Sequence, residues 1–320
     1  MAKAGGAASA TPSATRVRLK PGREKSLLRH HPWVFSGAID QVDGTPGVGA
    51  TVSIHASDGR FLAQAGYSPA SQIRARVWSW DRDETIDGSF FANRVRAALV
   101  RRGGYPIGPD TRSAARMINA EADGLPGVIV DRYAAVAVLQ FLAAGAERWR
   151  AEITTAVLEH SGCSSAYERS DADVRELEGL SSRRGVLHGD EPPAMIEIDE
   201  PAGGHVVTFL IDVREGHKTG GYLDQAGNRA RVGALAAGAE VLNCFCYTGG
   251  FSLHALANGA TKVVSIDSSA DSMALGQRML LRNAFAEARA EWVDADVFAE
   301  LRKKRDQGAG FDVIILDPPK

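Results

Sequence analysis

The sequence predicts a multidomain chain with an N-terminal all-β barrel, a central α+β unit and a C-terminal α/β unit on a parallel sheet. Three observations carry this. Residues 16–84 hold short alternating runs between turns, residues 85–188 mix strands with helical patterns, and near-continuous apolar strands alternate with helices from 218 onwards. The 320 residues suit two or three domains at about 150 residues each. Hydrophobic residues make up 44% and charged residues 24%, which excludes a mainly disordered chain. No apolar run reaches the ~18 residues of a membrane span. The stretch through Arg18 lacks the apolar centre of a secretory signal. Residues 1–15 read as a disordered tail, although their Ala, Ser, Thr and Arg content also suits an organellar transit peptide. Cys163, Cys244 and Cys246 are too few for a disulfide scaffold or a four-cysteine zinc site and fit a reducing, cytoplasmic setting.

Net charge is −2, yet residues 1–35 carry seven basic residues against Glu24 alone, a local +6 that leaves −8 for the rest. Such an end suits a phosphate-binding surface. A solubilising tail plus a solvated strand face explains it equally well.

The elements follow in order. Val17–Leu19, Val34–Phe35, Thr51–His55, Phe61–Tyr67 and Ile73–Trp80 read as strands, with Asp58-Gly59 as a hairpin turn. Phe90, Phe91, Val95, Ala98 and Leu99 give helical spacing over Ser89–Arg102, ended by Gly103-Gly104. Strands follow at Arg116–Ala120, Gly127–Asp131 and Ala135–Phe141, then a helix at Ala146–His160, a strand at Ala166–Glu168 and a polar helix or loop over 171–180. Residues 189–320 form the third unit. It opens with a hairpin whose arms, Met195–Ile198 and Val206–Val213, flank the turn Pro201–Gly204. Helices are predicted at Gln225–Leu235, Ser252–Ala257, Ser269–Asn283 and Val297–Asp306. Strands are predicted at Val241–Phe245, Lys262–Asp267, Ala290–Val293 and Phe311–Leu316. Their apolar character is that of a parallel sheet buried on both faces.

The chemistry gathers at the ends of these strands. The first runs into Gly249-Gly250, where backbone can approach a ligand beside a helix N-terminus. It lacks the Gly-x-Gly-x-x-Gly pattern, which disfavours a pyrophosphate cradle and a dehydrogenase. Asp267 ends the second strand, 18 residues after Gly249. A carboxylate there can accept both hydroxyls of a ribose, or it caps the next helix, a task open equally to Ser268 or Ser269. Asp296, after the third strand, suits an adenine amino group or, again, a helix cap. Asp317-Pro318-Pro319 ends the fourth strand; two prolines stiffen the backbone and leave carbonyls exposed where a flat base can lie.

Long runs now carry a resemblance. Residues 215–320 resemble class I S-adenosylmethionine-dependent RNA methyltransferases, of the bacterial ribosomal large subunit methyltransferase I type. The likeness extends over nearly the whole chain after the tail. It includes His31-Pro32-Trp33-Val34-Phe35-Ser36-Gly37-Ala38-Ile39, Asn119-Ala120-Glu121-Ala122-Asp123-Gly124-Leu125-Pro126-Gly127, Tyr167-Glu168-Arg169-Ser170-Asp171 and Gly216–Gln225. It implies a PUA-like RNA-binding domain over 16–84, a central α+β domain over 85–188 and a Rossmann-like methyltransferase domain over 189–320. It further implies S-adenosylmethionine as cofactor and ribosomal RNA as partner, and leaves room for a homodimer. By the resemblance, Asn243, Phe245, Tyr247, Thr248, Gly249 and Gly250 match the loop around the cofactor's methionine side. Asp267 matches the ribose acid, Asp296 the adenine-side acid, and Asp317 the motif facing methyl donor and target base. Lys218, Thr219, Tyr222, Asp224 and Gln225 match the segment that closes over the cofactor. Lys20, Arg23, His31 and Trp33 would touch RNA, with a packed strand end as the alternative for His31 and Trp33.

Cytosine C5 methylation needs a cysteine that adds at carbon 6 and makes carbon 5 nucleophilic. In the resembling family that cysteine follows the strand after Asp-Pro-Pro, beyond Lys320. Cys244 and Cys246 read instead as buried hydrophobes, both on the first strand and facing one side of the sheet. Only four of the family's seven sheet strands are present. Three more, with helices, would need about 70–90 residues, so the chain is expected to be an N-terminal fragment with Phe311–Leu316 as an exposed apolar edge. Guanine N-methylation, which needs no thiol, and a non-catalytic RNA-binding fragment are the competing readings. No metal is expected, because no His/Cys cluster has ligand spacing.

Overall fold

The computed structural model describes residues 15–102 and 112–319. The predicted stop at Gly103-Gly104, the tail up to Ala14 and Lys320 lie outside these. Thr15, assigned to the tail, already belongs to the first strand.

The first unit is a six-stranded sheet of β1 (Thr15–Leu19), β2 (Trp33–Phe35), β3 (Ile39–Val42), β4 (Thr51–His55), β5 (Phe61–Tyr67) and β6 (Ile73–Ser79), ordered β2-β6-β5-β4-β1-β3, with a short helix α1 (Lys25–Leu28) before β2. Alternation decides its faces. Val17 and Leu19 are buried with Val52, Ile54, Ala63, Ala65, Ala75 and Val77, while Arg16 and Arg18 point outward. Part of the basic end is therefore a solvated strand face. Strand β3 was missed because, as an edge strand with Asp40 and Gln41 exposed, it shows no apolar run; pairing with β1 creates it.

The central unit packs α2 (Gly88–Arg101) and α4 (Arg150–Ser161) on one face of the sheet β11-β10-β9-β8-β7. Its strands are β7 (Ala114–Asn119), β8 (Val128–Tyr133), β9 (Val136–Phe141), β10 (Ser165–Ser170) and β11 (Arg183–His188), with α5 (Val174–Leu177) between the last two. Asp87 caps α2, its Oδ1 accepting the Phe90 N–H at 3.0 Å. The helix predicted over Ala146–His160 is two, with α3 (Ala144–Arg148) separated from α4 at Trp149. The break seats Gly145 against Gly66 and Trp78, where a Cβ would stand 2.8 Å from the indole, and lays Trp149 on Phe91. The opposite sheet face buries Tyr133, Val136 and Val138 against the third unit.

That third unit opens with the hairpin β12 (Ile196–Ala202) and β13 (His205–Ile211). Its turn is narrower than predicted. Pro201 pairs with Val206, and only Gly203-Gly204 turn, both with positive φ, as a two-residue hairpin demands. There follow α6 (Ala226–Leu235), β14 (Glu240–Cys244), α7 (Gly250–Ala257), β15 (Lys262–Asp267), α8 (Ala270–Arg282), β16 (Ala290–Asp294), α9 (Val297–Asp306) and β17 (Val313–Leu316). The sheet is wholly parallel in the order β16-β15-β14-β17, so β14 begins a doubly wound arrangement and every strand ends on one edge. Apolar clusters line both its faces. At the rim, Ile314 and Leu316 of β17 are 55% and 61% exposed, the apolar edge that was expected.

Glu178, just after α5, ties the first two units together. Its buried carboxylate accepts from Ser68 Oγ at 2.6 Å, Arg76 Nη1 at 2.7 Å and the Ala144 N–H at 3.2 Å. Burial alone would raise its pKa, but the Ser68 and Ser71 hydroxyls and the Arg76 charge outweigh burial and hold it below its ordinary value of 4.5. Asp123, Glu147 and Glu200 are held down in the same sense by arginine and, for Glu200, histidine partners. Carboxylates depressed in the folded state stabilise it above their unfolded pKa and lose that contribution as pH falls through the folded value. Urea denaturation should therefore show stability level from pH 7 to about 5 and falling steeply below about 4. Glu178→Gln should cost about 3 kcal/mol at pH 7 and show a shallower loss in acid.

Candidate active site

A cleft of about 640 Å³ opens along the carboxyl edge of the parallel sheet. Besides residues of the β12–β13 hairpin, α6 and α8, three stretches form its walls. They are the segment Gly216–Gln225 before α6, the turn from β14 into α7, and the ends of β15 and β17.

The β14–α7 turn has an unusual backbone. Phe245 and Tyr247, as well as Gly249, take left-handed φ values of 58°, 51° and 73°, a conformation costing about 1–3 kcal/mol for a residue with a side chain. Asp267 stabilises it. Its Oδ2 accepts the Tyr247 N–H at 2.7 Å and its Oδ1 the Ser269 N–H at 2.9 Å. The cap of α8 is Ser269, whose Oγ accepts the Ser272 N–H. Asp267 therefore faces the cleft with lone pairs still open on both oxygens.

The structure brings Lys218, Tyr222, Asp224, Gln225, Phe245, Tyr247, Thr248, Gly250, Asp267 and Asp317 to this one cleft. Burial pushes the Tyr247 hydroxyl pKa up; burial does the same for Tyr222, with the Asp317 and Asp224 carboxylates adding to it. Lys218 Nζ lies 4.4 Å over the Tyr222 ring and 3.7 Å from Asp224. Pro318 and Pro319 stand beside Asp317.

Four predicted residues stand elsewhere. Asn243 is buried beneath the turn, donating to Ser252 Oγ at 2.9 Å. Gly249 is a packing glycine: a Cβ on it would meet the Trp292 ring at 2.5 Å. Thr219 is fully buried and bonded to the central unit. Asp296 is exposed, is not among the residues lining the cleft, and caps α9, its Oδ1 accepting the Ala299 N–H at 2.7 Å. The cysteine geometry also needs correction. Strand β14 ends at Cys244 and the left-handed Phe245 turns the chain, so Cys246 lies in the turn and shares no strand face with Cys244. Both thiols are buried, and burial raises the pKa of each, which leaves them poor nucleophiles. Cys163 is buried and shifted upward in the same way.

Several cleft residues escaped the sequence reading. His217 Nδ1 stands 3.2 Å from the Tyr222 hydroxyl, and its ring centroid is 4.8 Å from that of Tyr247. Its place beside Lys218 was the available signal. Glu200 and Arg229 form a buried bidentate pair at 2.9 and 2.5 Å on the hairpin side. Nothing in a single sequence links positions 29 residues apart.

In the first unit, Lys20 and Arg23 are exposed, and Lys20 Nζ donates to the Gly37 carbonyl at 3.2 Å. His31 is exposed as well. Trp33 is half-buried and its indole N–H donates to Glu121 of the central unit at 2.8 Å.

Comparison with known proteins agrees with this geometry. A PUA-like domain profile matches residues 17–80, and an S-adenosylmethionine-dependent methyltransferase profile matches residues 190–320. Ribosomal RNA large subunit methyltransferase I from Shewanella amazonensis and from Aeromonas hydrophila are each 46% identical over 95% of this chain and 76% of their own length. The chain belongs to this methyltransferase family. It is a member with S-adenosylmethionine as its cofactor. Among solved structures, one described as a SAM-dependent methyltransferase from Streptococcus mutans matches with a TM-score of 0.79 at 25% identity, over 95% of this chain and 77% of that one. A methyltransferase complexed with SAH matches with a TM-score of 0.81 at 25% identity, over 95% and 76%. Among the described residues no helix is long and apolar enough to cross a membrane, and no His, Cys, Asp and Glu cluster could hold a metal ion.

Gly249→Ala tests the turn. Left-handed φ and the Trp292 contact together should cost about 2 kcal/mol or more, read as a lower urea midpoint with weakened SAH binding.

Proposed function

We propose that the chain methylates large-subunit ribosomal RNA in the cytoplasm, at carbon 5 of a cytosine. The observation that carries the reading is the cleft itself, with Asp267 at one strand end and Asp317-Pro318-Pro319 at another. The donor set fits a nucleoside joined to an amino acid. The open lone pairs of Asp267 suit paired ribose hydroxyls, the first-turn N–H groups of α7 suit a carboxylate, and the aromatic walls Phe245, Tyr222 and Tyr247 suit flat or cationic groups. When bound, S-adenosylmethionine supplies an electrophilic methyl group. Tyr222, Asp317 and the two prolines would orient the acceptor base beside it. The acceptor reading follows the family. None of the three thiols in this chain suits the carbon 6 nucleophile, since each is buried and shifted upward, so the carbon 5 step draws on a thiol other than these three. RNA would be held first by the exposed basic residues of the PUA-like unit, Arg16, Arg18, Lys20 and Arg23.

Tritium transfer from S-adenosylmethionine to large-subunit RNA, followed by nucleoside mass spectrometry, tests both parts. Asp267→Asn should lose at least about tenfold in cofactor affinity through its charge-assisted bonds; wild-type transfer by that variant would overturn the site. With that further thiol supplied, 5-methylcytidine is the expected product. Methylguanosine would replace the base assignment, and RNA binding without SAH binding would favour a non-catalytic role. Separately, Arg23→Ala should weaken RNA binding at all sequences and lower the salt dependence by about one counterion.

A further inference from the structure

Thr219 sits between Lys218 and the Gly220-Gly221-Tyr222 run, inside the cleft wall, yet its own side chain turns away. It is fully buried, and its hydroxyl donates to Asp131 Oδ2 at 2.6 Å and stands 2.9 Å from the Tyr133 hydroxyl. Tyr133 reaches the loop a second time, donating to the Gly221 carbonyl at 3.4 Å. Asp131 is itself wholly buried, and its two oxygens accept from Arg116 Nε and Nη2 at 2.8 and 2.9 Å. Arg116, Asp131 and Tyr133 all belong to β7 and β8 of the central unit.

A second hold lies nearby. Arg169 of β10 donates from Nη1 to the Val213 carbonyl at 2.8 Å and from Nη2 to the Gly216 carbonyl at 2.9 Å. The segment between β13 and the turn at Leu223 has no helix or strand of its own. It also carries Lys218 in left-handed conformation, φ 57°. Such a segment keeps one geometry only where its surroundings impose it. Here the surroundings are side chains of a different domain.

We propose that Asp131 is a positioning residue for methyl transfer. Acting through Thr219, it sets the Lys218–Tyr222 wall at the spacing the cofactor requires, so the central domain is part of the catalytic apparatus as well as a spacer between RNA-binding and methyltransferase domains. Buried carboxylates are costly unless paired. Arg116 neutralises this one, and the directed bond to Thr219 then gives it a precise target. Lys218 and Tyr222 both line the cleft, so a shift at Thr219 moves both. The inference builds on the reading of the cleft as the cofactor site.

The test uses the full chain, with SAH affinity by calorimetry, KM for S-adenosylmethionine, kcat, and RNA affinity by filter binding. Thr219→Val keeps the branched shape and removes the hydroxyl; Thr219→Ser keeps the hydroxyl. Thr219→Val should weaken SAH binding and raise the cofactor KM by about tenfold, with RNA affinity unchanged. Thr219→Ser should stay within about twofold of the unaltered protein. Asp131→Asn should show the Thr219→Val loss, and the double variant no more than either alone, because the two act as one unit. Unchanged SAH affinity in Thr219→Val, equal damage in Thr219→Ser, or additive losses in the double variant would each overturn the proposal. If Asp131→Asn does not fold, the two Thr219 variants decide alone. Failure of the unaltered chain to bind SAH would remove the cleft reading itself and this inference with it, whereas normal binding indifferent to Thr219→Val removes only the inference.

Discussion

The cleft depends on one carboxylate placed at the end of one strand. Because β14 and β15 run parallel in register, Asp267 at the tip of β15 lies opposite the point where β14 turns. There it accepts the Tyr247 N–H and makes an otherwise unfavourable backbone tenable. That turn sends Phe245 and Tyr247 into the cleft wall and aims the N-terminus of α7 at the same space. The acid to which the proposed function gives the ribose is thus also the acid that shapes the β14–α7 turn, and under that proposal its structural and binding roles are not alternatives.

The same economy recurs between domains. Glu178 joins the first unit to the second through Ser68 and Arg76, and Arg169 and Asp131 join the second to the third. Each junction is a buried charge satisfied from both sides, rather than an apolar patch alone. Such groups are expensive when half-satisfied, so they favour one mutual placement of the domains. Under the proposed function, an RNA held on the first unit and a cofactor held in the third would meet at a spacing set by the central sheet.

Much of this was legible in the residues. The parallel strands announced themselves as apolar runs, and Asp267 and Asp317 could be placed at strand ends by counting. What escaped depended on tertiary partners. Strand β3 has too little apolar pattern to be seen without β1 beside it. Asn243 and Thr219 lie in the right segments but turn inward, a distinction set by which face is buried and carried by no local pattern. Gly249 reads as a ligand-approach glycine, while its left-handed φ and the indole of Trp292, 43 positions on, already require it for packing. Asp296 takes the cap position of α9, a place any carboxylate before a helix can fill, so its position alone does not separate a cap from a ligand.

The Trp292 ring lies between Gly249 and Gly276, with contact distances that leave no room for a Cβ on either. Of the chain's five tryptophans, Trp33, Trp78, Trp80 and Trp149 belong to the first two units, which leaves this indole alone in the third. It rests against the turn that borders the cleft. The methyltransferase domain therefore carries a single indole set against the cleft-bordering turn, a built-in optical probe once the four tryptophans of the first two units are replaced.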